Sequence, residues 1–277
     1  MAEITVAAVQ LDIQFADTAA NRERILDFAS QAADRGAQLV VFPECALSGY
    51  VFDTLPEARE SSEPVPGPAT GALAKLCRQK GVYVVFGMLE AAGECVYNSA
   101  VLCGPTGVIG VYRKTHLPFL GVDRLATLGP GPYEVFDTPI GRLAMLICYD
   151  LRFPEASRCL TLLGADILIL PTNWPVGAEA SPDYTAPARA VENRIFVVAV
   201  NRAGVEKGVS FIGKSQIVEP SGKRLAMAQT IDEEMIFASF DPTRARQKRL
   251  VISPGVFEID TVGDRRPELY GKLTKDN

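Results

Sequence analysis

Residues 4–42, ITVAAVQLDIQFADTAANRERILDFASQAADRGAQLVVF, read as strand, helix and strand. The first seven (4–10) are apolar along nearly their whole length, as a strand covered on both faces requires. Over 20–35 the apolar residues change to helical spacing, with Ile25, Phe28, Ala29 and Ala32 on one stripe. Gly36 is the helix stop. LVVF (39–42) is a second apolar strand, ending at Pro43-Glu44. Such units wind right-handed around a sheet.

The same alternation continues outward. Residues 51–68, with Pro56, Pro64, Pro66, Gly67 and Pro68, read as a long surface loop, followed by a short helix over about 69–80. Strands follow at 82–89, 96–103 and 108–114, with Gly104-Pro105-Thr106-Gly107 turning between the last two. Residues 117–133 are irregular. The next stretch, EVFDTPIGRLAMLICYD, reads as a hairpin turning at Pro139–Gly141, with its second strand ending at Cys148. A helix (154–163), a strand (166–170), a helix (about 184–194) and a strand (195–200) come next. Then come a hairpin over 211–226 turned by Pro220-Ser221-Gly222, a strand (235–240) and a short basic helix (242–249). The expectation is a layered α/β sandwich in one domain over 1–277, with a core of about 4–250. The tail from about 251 reads as polar and turn-rich, with a length and polarity that permit it to cross to a partner subunit.

Composition narrows the function classes. The chain has 277 residues, 48% hydrophobic and 22% charged, as in ordinary globular proteins. Its formal net charge is −5 and its basic runs are short, which argues against a nucleic-acid partner. No apolar run reaches the roughly 18 residues of a membrane span. The N-terminus has no basic region leading into a long apolar stretch, so no signal peptide is expected. Six Cys without a CxxC pair and a single His, His116, make a zinc site unlikely on spacing alone, and a reducing cytoplasm is the simplest setting. Nothing in the sequence asks for a cofactor or a metal.

Three motifs fail on inspection. Gly208–Ser215 satisfies the phosphate-loop pattern GxxxxGK[ST], but its inner residues Val-Ser-Phe-Ile read as strand and no helix follows. A serine triad would have to use His116 without any GxSxG elbow. GxGxxG is missing.

What survives is a set of three reactive side chains at strand ends. Glu44 ends LVVFPE, Lys114 ends VIGVYRK and Cys148 ends RLAMLIC. Sites in α/β sheets form at carboxyl ends of strands, so three strands of one sheet would bring the residues together. A thiolate is a strong nucleophile but scarce at neutral pH. A carboxylate can take the thiol proton, and an ammonium can stabilise thiolate and oxyanion. The backbone N–H groups of Tyr149 and Asp150 would complete an oxyanion hole. Taken singly, each residue has a bland reading: an inert buried thiol, a loop or capping carboxylate, a solvated cation.

PECALSGY (43–50), YRKTHLP (112–118) and LICYDLRFPE (146–155) together resemble the three signature segments of the nitrilase superfamily of carbon–nitrogen hydrolases, in order and approximate separation. VAAVQ, ARAVENR (188–194) and GKSQIVEPSG (213–222) agree, so the resemblance covers roughly 4–260. It implies a four-layer α-β-β-α sandwich that pairs into homodimers or higher homo-oligomers. It also implies Glu44 as general base, Lys114 as charge stabiliser and Cys148 as nucleophile, with a thioester intermediate. One departure stands out. Many members carry a second Glu after the Lys segment, whereas the nearest carboxylate here is Asp123, which is either a shorter substitute or a surface residue beside Arg124.

CYDLRFPE is similar to the amidase and carbamoyl-amidase branches; nitrilases proper usually show Trp-Glu after the Cys. The expected substrate is therefore a small amide or N-carbamoyl compound, with a nitrile, or a low-activity scaffold on the same fold, as alternatives. Tyr50, Tyr149, Asn173 and Trp174 are candidates for pocket walls, although large aromatics most often simply pack. Arg152 would either hold a substrate carboxylate or pair with Asp150 or Glu155.

Overall fold

The computed structural model describes residues 2–275 and contains two six-stranded sheets laid face to face. β1 (Ile4–Gln10), α1 (Thr18–Asp34) and β2 (Leu39–Val41) form the expected strand–helix–strand unit. Asp17 caps α1, its Oδ1 accepting the Ala20 N–H at 2.9 Å, and Gly36 leaves the helix at φ +89°. α2 (Leu55–Glu60) and α3 (Pro68–Lys80) follow. Next come β3 (Tyr83–Ala92), β4 (Cys95–Gly104) and β5 (Gly107–Arg113). β6 (Val135–Thr138), β7 (Gly141–Met145), α4 (Pro154–Leu162), β8 (Ile167–Thr172), α5 (Ala186–Asn193) and β9 (Phe196–Asn201) form the second half. Two short pairs come after it: β10 (Val205–Glu206) with β11 (Val209–Ser210), and β12 (Gln216–Val218) with β13 (Arg224–Met227). β14 (Glu234–Phe240) returns to the first sheet, and β15 (Arg249–Ser253) with β16 (Phe257–Asp260) closes the chain.

The strand orders are β14-β1-β2-β3-β4-β5 and β13-β12-β9-β8-β7-β6. Each sheet has three parallel central strands, β1-β2-β3 and β7-β8-β9, flanked by antiparallel ones. Side-chain alternation sorts the layers. Val6, Ala8, Leu39, Val41, Val85 and Leu102 face the second sheet, in a cluster that runs on to Leu160 and Ala190 of α4 and α5. Ala7, Val9, Val40, Phe42, Val84 and Phe86 face the other way, against Ile25 and Ala29 of α1 and Leu73 and Cys77 of α3. The architecture is the α-β-β-α sandwich, and burying each of these larger apolar side chains stabilises it by about 1.5–3 kcal/mol.

Several local expectations are corrected. The segment 51–68 is not all loop: Thr54 Oγ1 caps α2 at the Glu57 N–H, and Pro56 sits in its first turn. The strand before Cys148 stops at Met145, and Cys148 opens a 3₁₀ turn over Cys148–Arg152. The basic helix is only a 3₁₀ turn, Pro242–Arg246, because Arg249 already belongs to the β15–β16 hairpin. That hairpin makes the tail less polar than expected, exposing Val251, Ile252, Val256 and Phe257. In the phosphate-loop match, Lys214 pairs with Asp183 at 2.9 Å and Ser215 bonds Gln10, with strand rather than helix following.

Candidate active site

Glu44 and Lys114 follow β2 and β5 of the first sheet, whereas Cys148 follows β7 of the second. The three strand ends therefore do not lie in one sheet, as the sequence suggested. They meet across the two facing sheets, which is why residues so distant in sequence converge.

Lys114 is the centre of the cluster. Its Nζ donates to Glu44 Oε1 at 2.7 Å and to Asp123 Oδ2 at 2.5 Å, and all three side chains are fully buried. Asp123, on the 3₁₀ turn Gly121–Arg124, is thus a partner of Lys114 and not a surface residue. Asn98 of β4 completes the set. Its Nδ2 donates to Glu44 Oε1 at 2.7 Å and to Asp123 Oδ1 at 2.8 Å, and its carbonyl accepts the Lys114 N–H at 2.9 Å. Sequence reading missed Asn98. The available signal was a lone amide inside the apolar strand VYNSAVL (96–102). A third carboxylate, Glu90, takes Arg113 and Ser99 and so keeps the neighbouring cation away from the cluster.

One buried oxygen in this network has no partner among the described residues: Glu44 Oε2. Burial pushes the Glu44 carboxyl above its ordinary range, against the opposing pull of Lys114. Burial also works against the Lys114 charge, but Asp123 and Glu44 outweigh it and hold the ammonium well above the usual amine range. The Cys148 thiol is pushed well up by burial and by the Glu44 charge, while Lys114 and the Asn173 backbone N–H pull it down. Sulfur, carboxylate and ammonium are therefore within electrostatic reach of one another.

Backbone geometry presents the sulfur. Cys148 sits at φ +44°, a strained left-handed conformation for a residue with a side chain. Asp150 holds that turn in place from full burial. It accepts the Ile147 N–H at 2.9 Å, the Tyr112 hydroxyl at 2.8 Å, and the His116 N–H and Nδ1 at 3.0 and 2.7 Å. The turn of Cys148 is thereby bound to the strand of Lys114. His116 also stacks on Phe153, with ring centroids 3.8 Å apart. Arg189 adds a bond from Nε to the Leu151 carbonyl at 3.0 Å. On the first-sheet side, Gly87 lets β3 pass the Glu44 turn. A Cβ there would lie 2.4 Å from Cys45 N and 2.6 Å from Glu44 Cα.

Other expected residues divide. The Asp150 N–H, expected as an oxyanion donor, instead donates to the Ile147 carbonyl at 3.0 Å. Asn173 is buried, and neither carboxamide atom has a partner among the described residues. Tyr50 is buried and its hydroxyl donates to Asp123 Oδ2 at 2.8 Å, so it supports the cluster more than it walls a pocket. Trp174 is buried in the core between the sheets. Arg152 is exposed and makes no ion pair with Asp150 or Glu155 among the described residues. No cluster of metal-ligating side chains occurs among the described residues, and no helix there is long and apolar enough to cross a membrane.

Known proteins are similar to this chain in sequence or in architecture. A nitrilase of Pyrococcus abyssi is 38% identical over 96% of this chain and 99% of its own. An (R)-stereoselective amidase of Pseudomonas sp is 36% identical over 98% and 94%, and human omega-amidase NIT2 is 31% identical over 98% of each. The amidase of Nesterenkonia sp. AN1, solved as a mutant with the acetamide moiety of fluoroacetamide added covalently at its active site cysteine, superposes with a TM-score of 0.79 at 26% identity, covering 96% and 95% of the two chains. The family model described as Carbon-nitrogen hydrolase matches residues 5–250. The chain belongs to the carbon–nitrogen hydrolase family, in the amidase-like branch of the nitrilase superfamily.

Proposed function

We propose that the protein hydrolyses a small linear amide to an acid and ammonia, or an N-carbamoyl compound to ammonia, carbon dioxide and an amine, through a thioester on Cys148. The observation that carries this reading is Glu44 Oε2, a buried carboxylate oxygen without a partner among the described residues, on a side chain that pairs with the Lys114 ammonium and whose charge acts on the Cys148 thiol. A base with a pKa raised toward the working pH is suited to move the thiol proton.

In the proposed sequence Glu44 takes the proton of Cys148, and the thiolate attacks the amide carbon. The oxygen of the tetrahedral intermediate is held by Lys114 Nζ and the Tyr149 N–H. The C–N bond then breaks, and the nitrogen leaves as ammonia with the proton from Glu44. A water attacks the thioester, giving its proton to Glu44. The C–S bond breaks, the acid departs, and the proton returns to sulfur. Splitting the hydrolysis in two replaces one difficult step with two easier ones. Asp123 does not exchange protons here; its charge keeps Lys114 an ammonium and fixes its Nζ.

The Asn173 carboxamide, buried and without a partner among the described residues, is suited to a substrate amide or ureido group. Arg152, exposed and without an ion pair among the described residues, is available to a substrate carboxylate. A nitrile is the second reading, supported by the Pyrococcus relative named a nitrilase. The exposed apolar residues of the β15–β16 hairpin support a homo-oligomer that covers them. All six cysteines are free thiols, which suits a reducing cytoplasm. The test is ammonia release from primary amides, ω-amides, N-carbamoyl compounds and nitriles, with Cys148→Ala as the control.

A further inference from the structure

We infer that Glu206, held by Arg202, is a positioning residue for the Lys114 ammonium, acting through Tyr50. The inference deepens the amide-hydrolysis reading, and its kinetic arm rests on that reading. Glu206 is a buried charged residue that none of the steps above uses.

Arg202 is wholly buried and Glu206 is 3% exposed. They lie just past β9 and at the end of β10. Arg202 Nη1 donates to Glu206 Oε2, Nη2 to the Ile13 carbonyl at 3.1 Å and Nε to the Ala203 carbonyl at 3.2 Å. The guanidinium also lies 4.4 Å from the centroid of the Phe211 ring. A buried ion pair is a poor source of net stability, because desolvation cancels most of its attraction. What this pair supplies is a carboxylate oxygen aimed at one place. Glu206 Oε1 accepts the N–H of Tyr50 at 2.8 Å and that of Val51.

Tyr50 is then held at both ends. Its N–H goes to Glu206, its carbonyl accepts the Val122 N–H at 2.8 Å and the Phe52 N–H at 3.0 Å, and its hydroxyl donates to Asp123 Oδ2 at 2.8 Å with the Leu120 carbonyl farther off at 3.1 Å. The ring lies flat enough on the 121–123 turn that a Cβ at Gly121 would approach Tyr50 Cε1 to 2.3 Å. Asp123 Oδ2 is the same oxygen that accepts from Lys114 Nζ at 2.5 Å. Side chains and one backbone N–H thus join Arg202, Glu206, Tyr50, Asp123 and Lys114 in a continuous line of hydrogen bonds. It starts on the second sheet and ends on the ammonium of the first. A displacement of about 1 Å passed along such a line can cost about 10²-fold in rate.

The test uses Glu206→Gln, Glu206→Asp, Tyr50→Phe and the double variant Glu206→Gln/Tyr50→Phe in the full chain. Gln keeps an oxygen for the two N–H groups but loses the buried charge that seats Arg202, whose other carboxylate neighbour, Asp12 at 3.5 Å, is exposed; Asp keeps the charge and shortens the reach. Two readouts are taken: kcat and KM on an amide the wild type hydrolyses, and the pH profile of Cys148 alkylation by iodoacetamide, followed by mass. The expected result is a fall in kcat of about tenfold or more in each single variant, with KM within about twofold. The double variant should lose little more than the worse single, because both act on one line. The alkylation profile should move to higher pH, since Lys114 is a cation that pulls the Cys148 thiol down. A purely structural role lowers the melting temperature and leaves the kcat of folded protein and the alkylation profile unchanged. That outcome, or losses that multiply in the double variant, overturns the proposal. If wild-type protein releases no ammonia from any amide, the amidase reading fails, and the alkylation profiles alone then decide the positioning role.

Discussion

Lys114 Nζ donates to Asp123 Oδ2 at 2.5 Å, between two side chains wholly removed from solvent. The shorter carboxylate reaches the ammonium because the 3₁₀ turn at Gly121–Arg124 brings its backbone close, with the Val122 N–H bound to the Tyr50 carbonyl. Asp123→Asn keeps an oxygen in place and removes the charge. It is expected to lower kcat for amide hydrolysis about ten- to a hundredfold while the protein stays folded, the scale on which an electrostatic contact in a closed site acts. Steady-state kinetics with circular dichroism checks this. Wild-type kcat in the variant returns Asp123 to a packing role.

Glu44→Gln should reduce turnover by about 10²-fold or more, as loss of a general base does. Because burial raises the Glu44 pKa, the carboxylate form is lost at a pH above the usual glutamate range. The acid limb of kcat/KM should therefore lie above the ordinary value of 4.5, with activity falling as the pH drops through it. A pH profile measured on wild type locates the limb; one at or below 4.5 argues against Glu44 as the base.

Replacing Lys114 by Met leaves Glu44 and Asp123 buried without their cation. Breaking a buried pair from one side costs about 3–5 kcal/mol. Two carboxylates share the cation, so the loss should sit at the upper end of that range at neutral pH and shrink as acid protonates Glu44, whose pKa burial raises. Urea unfolding at pH 7 and pH 5 measures both parts. Equal stability of wild type and variant would mean that the cluster is already neutral.

Gly87→Ala places a methyl 2.4 Å from Cys45 N and 2.6 Å from the Cα of Glu44. Both are backbone atoms and cannot rotate aside. The expected cost is about 1–3 kcal/mol, the range for overpacking, with a larger proportional loss of kcat because the displaced segment carries Glu44. Thermal unfolding and kinetics on the same preparation compare the two losses.

Much of the fold was legible in the sequence because its strands are short apolar runs bounded by Gly and Pro, and its outer helices carry clear stripes. β1, α1 and β2 are read from local pattern alone. Which strands share a sheet is not local information, and so Cys148 was assigned to the same sheet as Glu44 and Lys114. The side-chain roles of Asn98, Asp150 and Glu206 escaped for a related reason. Each is polar within or beside an apolar stretch, and its partners include residues 25 or more positions away. The Asp150 N–H was misassigned because a turn bond of three residues, to Ile147, is invisible in composition. Arg152 had charged neighbours in sequence, yet the turn that follows Cys148 faces it to solvent.

The most direct measurement is ammonia release from a panel of amides, ω-amides, N-carbamoyl compounds and nitriles, run with wild type and Cys148→Ala and with the acyl-enzyme mass of Cys148 recorded during turnover. The expected result is release from an amide or carbamoyl class, a transient mass increase equal to the acyl group on Cys148, and loss of both in the variant. Turnover that survives in Cys148→Ala would contradict the proposed thioester mechanism.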